Sequence, residues 1–157
     1  MKLTTKEDVE APIEEVFSAL TDFDGFERAA LRRGAEVVRQ DRAGPGGTGQ
    51  SWRIAFIYRG KRREMTARLV GQDVPTALRF QGMSRTLDGV MLVDLVALSR
   101  RRTRVTVTVD ITAKTLTARI FLQSLVFARG RINARFAKRV QLFAKSVEDR
   151  LRKPSMG

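Results

Sequence analysis

Just after Ala113 the hydrophobic repeat changes from two residues to three or four, and this change limits the possible folds more than any other feature. Before it, Thr103–Ala113 reads as a strand. Val105, Val107, Val109 and Ile111 take one face, and Thr106, Thr108, Asp110 and Thr112 the other. After it, Phe121, Leu125, Ala128, Ile132, Phe136, Val140, Phe143, Val147 and Leu151 recur at helical steps. The spacing predicts one helix over residues 115–151. At about 1.5 Å per residue it would run about 55 Å. A strand of about ten residues spans only about 33 Å. The helix must therefore overhang the sheet or bend, and Gly130 is the expected weak point.

Upstream, strands follow one another through short turns. Ala35–Asp41, Gln50–Tyr58, Lys61–Val70, Ala77–Met83 and Gly89–Leu98 precede Thr103–Ala113. Trp52, Ile54, Phe56 and Tyr58 share one face; Met65, Ala67 and Leu69 share another, and Leu78 and Phe80 a third. Gly89–Leu98 is almost wholly apolar and is expected to be buried on both faces. Arg59-Gly60 makes a tight turn, and residues 42–49 form a glycine-rich connection. Connections this short imply antiparallel hairpins. Ahead of the meander, Leu3–Glu10 reads as a first strand. Ala11-Pro12 then opens a helix with Glu14 and Glu15 in its first turn. A second helix, capped by Thr21 or Asp22 and ended by Gly34, buries Phe23, Phe26, Ala30 and Leu31.

Composition removes much chemistry. The 157 residues include no Cys and no His. Zinc sites of the usual kind, haem ligation by His, a Ser-His-Asp triad and thiol catalysis are excluded. Carboxylate, Tyr, Lys or Ser chemistry remains. No cofactor is expected. Gly44 to Ser51 approaches a phosphate loop, but Gln50 stands where the Lys belongs and a strand follows. The length fits one domain. No apolar run of spanning length occurs, and MKLTTKEDVE lacks the apolar stretch of a signal peptide, so a cytoplasmic location is expected.

The net charge of +13 is uneven. Residues 1–38 carry 5 basic and 9 acidic groups, whereas residues 115–153 carry 10 and 2. Two basic clusters sit at turns, one formed by Arg59, Lys61, Arg62 and Arg63, the other by Arg100, Arg101, Arg102 and Arg104. They are three turns apart, which places them at opposite ends of a meander. This argues against one nucleic-acid patch. Residues 116–127 are apolar on more than one face, with Ile120, Leu122, Val126 and Phe127 outside the main stripe, and Arg129 and Arg131 follow. That pattern fits an interfacial anchor for an anionic membrane, a subunit contact or two-sided burial.

The order of strand, two short helices, six-strand meander and long helix resembles the START-like, or Bet v 1-like, superfamily. Its polyketide cyclase/dehydrase and lipid-transport branch is the closest match. The stretch VEAPIEEVFSALTDFDGFE at residues 9–27 carries the resemblance most specifically. The resemblance implies an α+β helix-grip fold, a curved seven-stranded antiparallel sheet with the C-terminal helix packed across it. Residues 1–153 would form the single domain and residues 154–157 a disordered tail.

It also implies an apolar cavity between sheet and helix. Trp52, Phe56, Met65, Phe80, Phe121 and Leu125 are the candidate lining, and would serve equally as plain core. Tyr58 could present a phenol to a ligand. Asp94, inside an apolar run, could orient a polar group or act as an acid/base; otherwise it pairs with an Arg or faces solvent. The first functional reading is binding of a lipid, isoprenoid or polyketide-like molecule without catalysis, by a monomer or homodimer. The second is a cyclase or dehydratase using Asp94 and Tyr58, against which the absence of His weighs. The third is a basic module for an anionic membrane or for RNA or the ribosome.

Overall fold

A computed structural model describes residues 1–41 and 48–152. Most of the glycine-rich connection and the expected tail at 154–157 lie outside the described residues. The elements are β1 (Lys2–Val9), α1 (Ile13–Leu20), α2 (Phe23–Arg32), β2 (Glu36–Asp41), β3 (Ser51–Tyr58), β4 (Lys61–Asp73), β5 (Ala77–Met83), β6 (Leu87–Ser99) and β7 (Arg102–Ala113). They are followed by α3 (Leu116–Leu125), a 3-10 turn (Val126–Ala128) and α4 (Arg129–Arg152).

All seven strands form one sheet in the order β1-β7-β6-β5-β4-β3-β2, and every neighbouring pair is antiparallel. The meander thus runs from β2 to β7, and β1 closes against β7 with Leu3 opposite Val109 and Val9 opposite Thr103. The helices pack on one face. Their side chains Val16, Phe17, Ala144 and Val147 join Trp52, Leu69, Leu78, Val93, Leu95, Val105 and Val107 in a single core. This is the helix-grip arrangement that the resemblance implies.

Local chemistry explains the joints. The Asp22 side chain caps α2 by accepting from Gly25 N at 3.1 Å. Thr115 caps α3 by accepting from Ala118 N at 3.1 Å. Arg59 and Gly60 both have positive φ, 51° and 75°, as a two-residue hairpin of the I′ kind requires.

Three expectations are corrected. The C-terminal helix is not continuous: it tightens into a 3-10 turn at Val126–Ala128, and Gly130 lies inside α4. Strand β6 is not buried on both faces. Val93 and Leu95 are buried, whereas Leu92, Asp94 and Val96 are exposed, because no described element covers the outer face. Helix α2 buries less than its pattern suggests. Phe26 and Leu31 are exposed, and Phe23 is half-buried against Trp52 and Phe80. No described helix is long and apolar enough to cross a membrane.

Candidate ligand-binding groove

Strand pairing fixes which side chains share the inner face. Ile54 lies opposite Met65, Trp52 opposite Ala67, Leu69 opposite Phe80, and Phe80 opposite Met91. Met91 continues to Val109, and Val109 to Leu3. Helix α4 runs chiefly along β1, at the edge of the sheet. Arg129 donates to the Lys2 carbonyl near one end of α4, and Glu148 accepts from Glu10 N near the other. The middle of the inner face is consequently only half covered. Phe56, Met65, Phe80 and Met91 on the sheet are all half-buried, as are Phe121 and Leu125 on α3 and Ile132, Phe136 and Val140 on α4.

Two glycines deepen the floor. Gly82 and Gly89 face each other on adjacent strands. A Cβ placed on Gly82 would stand 3.1 Å from the Met65 methyl, so this flexible thioether reaches over the hollow. At the hairpin end the Arg59 guanidinium lies 5.5 Å from the ring centres of both Tyr58 and Phe121. This double cation–π contact ties the β3–β4 turn to α3.

The structure sorts the expected site residues. Phe56, Met65, Phe80, Phe121 and Leu125 lie along the half-covered interior. Tyr58 is at the rim, 43% exposed. Trp52 is buried beneath α2, where its indole N–H donates to Glu27 Oε1 at 2.8 Å and Phe23 packs on its ring. Asp94 must be corrected. It pairs across the sheet with Ala77 and Thr106 on the outer face, so it neither enters the groove nor meets Tyr58. The physical reason is the two-residue period: with Val93 and Leu95 turned inward, Asp94 between them turns out.

Two polar groups of the interior escaped the sequence reading. Glu7 lies opposite Val105 on the inner face and is half-buried; it is the only carboxylate that strand register places there among the described residues. The Asn133 side chain oxygen Oδ1 is fully buried with no hydrogen-bond donor. Its signal was present, since Asn133 shares a seven-residue row with Val140 and Val147 on the packed side of α4.

Perturbed titrations lie elsewhere. The hydrogen bond from Arg104 holds the Asp8 carboxyl below its ordinary range despite some desolvation, with help from Arg102. A hydrogen bond from Arg62 does the same for Glu36. Both pairs are surface ion pairs that join strand ends. An open, largely polar depression of about 330 Å³ near α2 is bounded by Thr21, Asp22, Phe23, Asp24, Arg39, Gln50 and Gln72 and is separate from the apolar interior.

Residues 1–148 match the family model described as polyketide cyclase / dehydrase and lipid transport. The chain belongs to that family. No curated protein sequence matches it. Among solved structures, the Zhui aromatase/cyclase from Streptomyces sp. R1128 is similar with a TM-score of 0.69 at 18% identity, over 97% of this chain and 96% of that one. A norcoclaurine synthase point mutant from Thalictrum flavum has a TM-score of 0.66 at 11% identity, over 96% and 95%. The protein TTHA0849 from Thermus thermophilus has a TM-score of 0.64 at 19% identity, over 96% of both chains. At these identities the likeness is one of fold. The family spans hydrophobic-ligand binding and cyclase-type functions, and the half-covered apolar interior of this member suits either.

Proposed function

We propose that this polyketide cyclase/dehydrase and lipid-transport family member binds an apolar small molecule, of lipid, isoprenoid or polyketide type, between the inner sheet face and the C-terminal helices. One observation carries the reading: α4 lies along β1, and Phe56, Phe80 and Met91 on the inner sheet face and Phe121 and Phe136 on the helices remain half-buried, while Gly82 and Gly89 face each other on the sheet. Apolar pockets with a few polar groups to orient the ligand are the usual form of such sites.

Binding without catalysis is favoured over cyclisation or dehydration. Asp94 and Tyr58 sit on opposite faces of the sheet, so no acid/base pair forms from them. The named activities of the Zhui aromatase/cyclase and norcoclaurine synthase keep a second reading in view. In it Glu7, on the inner face, would be the proton-transfer group. The test is extraction and mass spectrometry of what the purified protein carries, followed by displacement of an environment-sensitive apolar dye by fatty acids and isoprenoids. A stoichiometric apolar ligand recovered unchanged after incubation supports the proposal. Its conversion to a product, abolished by Glu7→Gln, supports the catalytic reading. A folded protein that binds neither dye nor lipid overturns both.

A further inference from the structure

The C-terminal helices carry a second apolar surface, turned away from the groove. Helix α3 packs inward through Ala118, Phe121, Leu122 and Leu125. Leu116 and Ile120, four residues apart, lie on its opposite side and are 71% and 58% exposed. The 3-10 turn then presents Val126 at 55% and Phe127 at 96% exposure. A Phe almost wholly in water contributes nothing to the fold of the monomer.

The charge around this surface is of one sign. Residues 111–147 contain eight basic side chains and no acidic one. Of the eight, only Lys114 has a carboxylate partner among the described residues, Asp88 at 3.3 Å. Strand register also brings the β3–β4 turn, with Arg59 and Lys61, and the β5–β6 turn, with Arg85, to the end of the sheet where α3 begins. The Arg59–Phe121 contact fixes the first of these turns against α3.

We propose that this surface docks on an anionic lipid bilayer, with Phe127, Ile120 and Leu116 entering the interface and Arg119, Arg131 and Arg135 meeting lipid phosphates. Charge complementarity selects the occupant. A second copy would bring the same unpaired positive charge against itself, which opposes association. A nucleic acid would gain from the basic groups but has no use for an aliphatic row, and Phe127 is the one exposed aromatic side chain that the described residues of α3, the 3-10 turn and α4 offer to stack on a base. An anionic bilayer uses both features, since apolar insertion and basic contacts act together in interfacial helices. This inference does not depend on the groove being occupied.

The test is co-sedimentation with vesicles of phosphatidylcholine alone and with about one-third phosphatidylglycerol, across a salt series. The expected result is binding only to the anionic vesicles, weakening as salt rises. Phe127→Ser, which alters no packed contact, should lower affinity at least about tenfold at every salt concentration. Arg131→Glu with Arg135→Glu should lower it at low salt and flatten the salt dependence, since each basic group near the surface is worth about fivefold. The proposal is overturned by a folded protein that ignores anionic vesicles at low salt, or by binding that Phe127→Ser leaves unchanged. It is equally overturned by retention on RNA or DNA without vesicle binding, or by a dimer in sedimentation velocity that Phe127→Ser dissociates.

Discussion

Replacing Gly89 by Val distinguishes an open groove from a packed core, because the two predict opposite signs. A Cβ at Gly89 meets nothing closer than the Asp110 carbonyl oxygen at 3.6 Å, an ordinary contact, and its backbone is compatible with an L side chain. The residue faces Gly82 and Ile111 on the inner side. Removing glycine from a strand interior gains about 0.5–1 kcal/mol from the unfolded chain. Covering an isopropyl group by about half should add about 1 kcal/mol, since full burial is worth about 1.5–3. The sum is about 1.5–2 kcal/mol, or roughly 3–8 °C in Tm for a domain of this size. The valine also occupies the hollow, so apolar dye affinity should fall by about tenfold, equivalent to about 1.4 kcal/mol. Thermal unfolding followed by circular dichroism and dye titration read the two effects independently. A lower Tm, as overpacking at about 1–3 kcal/mol would produce, together with unchanged dye binding would refute the groove.

Three further outcomes are expected. Asp8→Asn should loosen the β1–β7 edge, where Arg104 and Arg102 both reach the carboxylate. Because the Asp8 carboxyl is held below its ordinary 3.8, its stabilisation is present above that value and is lost as pH falls through the depressed one. Tm against pH should therefore be flatter below about pH 4 in the variant than in the parent. Asn133→Leu should raise stability in urea unfolding by about 1 kcal/mol by removing an unpaired buried oxygen. Gly130→Ala meets no atom within 4 Å and should stabilise α4 by about 0.5–1 kcal/mol, seen as a higher urea midpoint.

How much of this was legible depended on whether a residue's place is decided locally. Trp52, Phe56, Met65 and Phe80 took their inner positions from a two-residue period that needs no knowledge of neighbours. Asp94 did not. Its strand is apolar on both sides, so the inward side is chosen by pairing with Val105 and Val107 on the neighbouring strand, which the strand's own pattern does not show. The break in the C-terminal helix was misplaced for a related reason. Gly130 is the weakest local helix former there, yet it stays helical, whereas Leu125, Val126 and Phe127 change from an inward to an outward row without any Pro or Gly. The Arg59–Phe121 contact was beyond local reading, because it exists only once α3 lies beside a hairpin about sixty residues earlier.

The net charge of +13 divides into two parts with different physical meanings. The acidic N-terminal third supplies partners to basic groups of the sheet: Asp8 to Arg102 and Arg104, Glu36 to Arg62, and Asp24 and Glu27 to Arg39. Each of these pairs crosses from one element to another. They draw β1 to β7 and α2 to β2, although individually such exposed, solvent-screened pairs add little to stability. The cluster of Arg100, Arg101, Arg102 and Arg104 is thus partly neutralised by the strand beside it. The C-terminal helices receive no such partners until Glu148, which lies 3.9 Å from Arg152. Unpaired positive charge on α3, the first turns of α4 and the hairpin end of the sheet therefore lies beside an outward row of Leu116, Ile120 and Phe127. A merely solvated arginine-rich surface would have no reason to place its most exposed aromatic side chain among its unpaired cations.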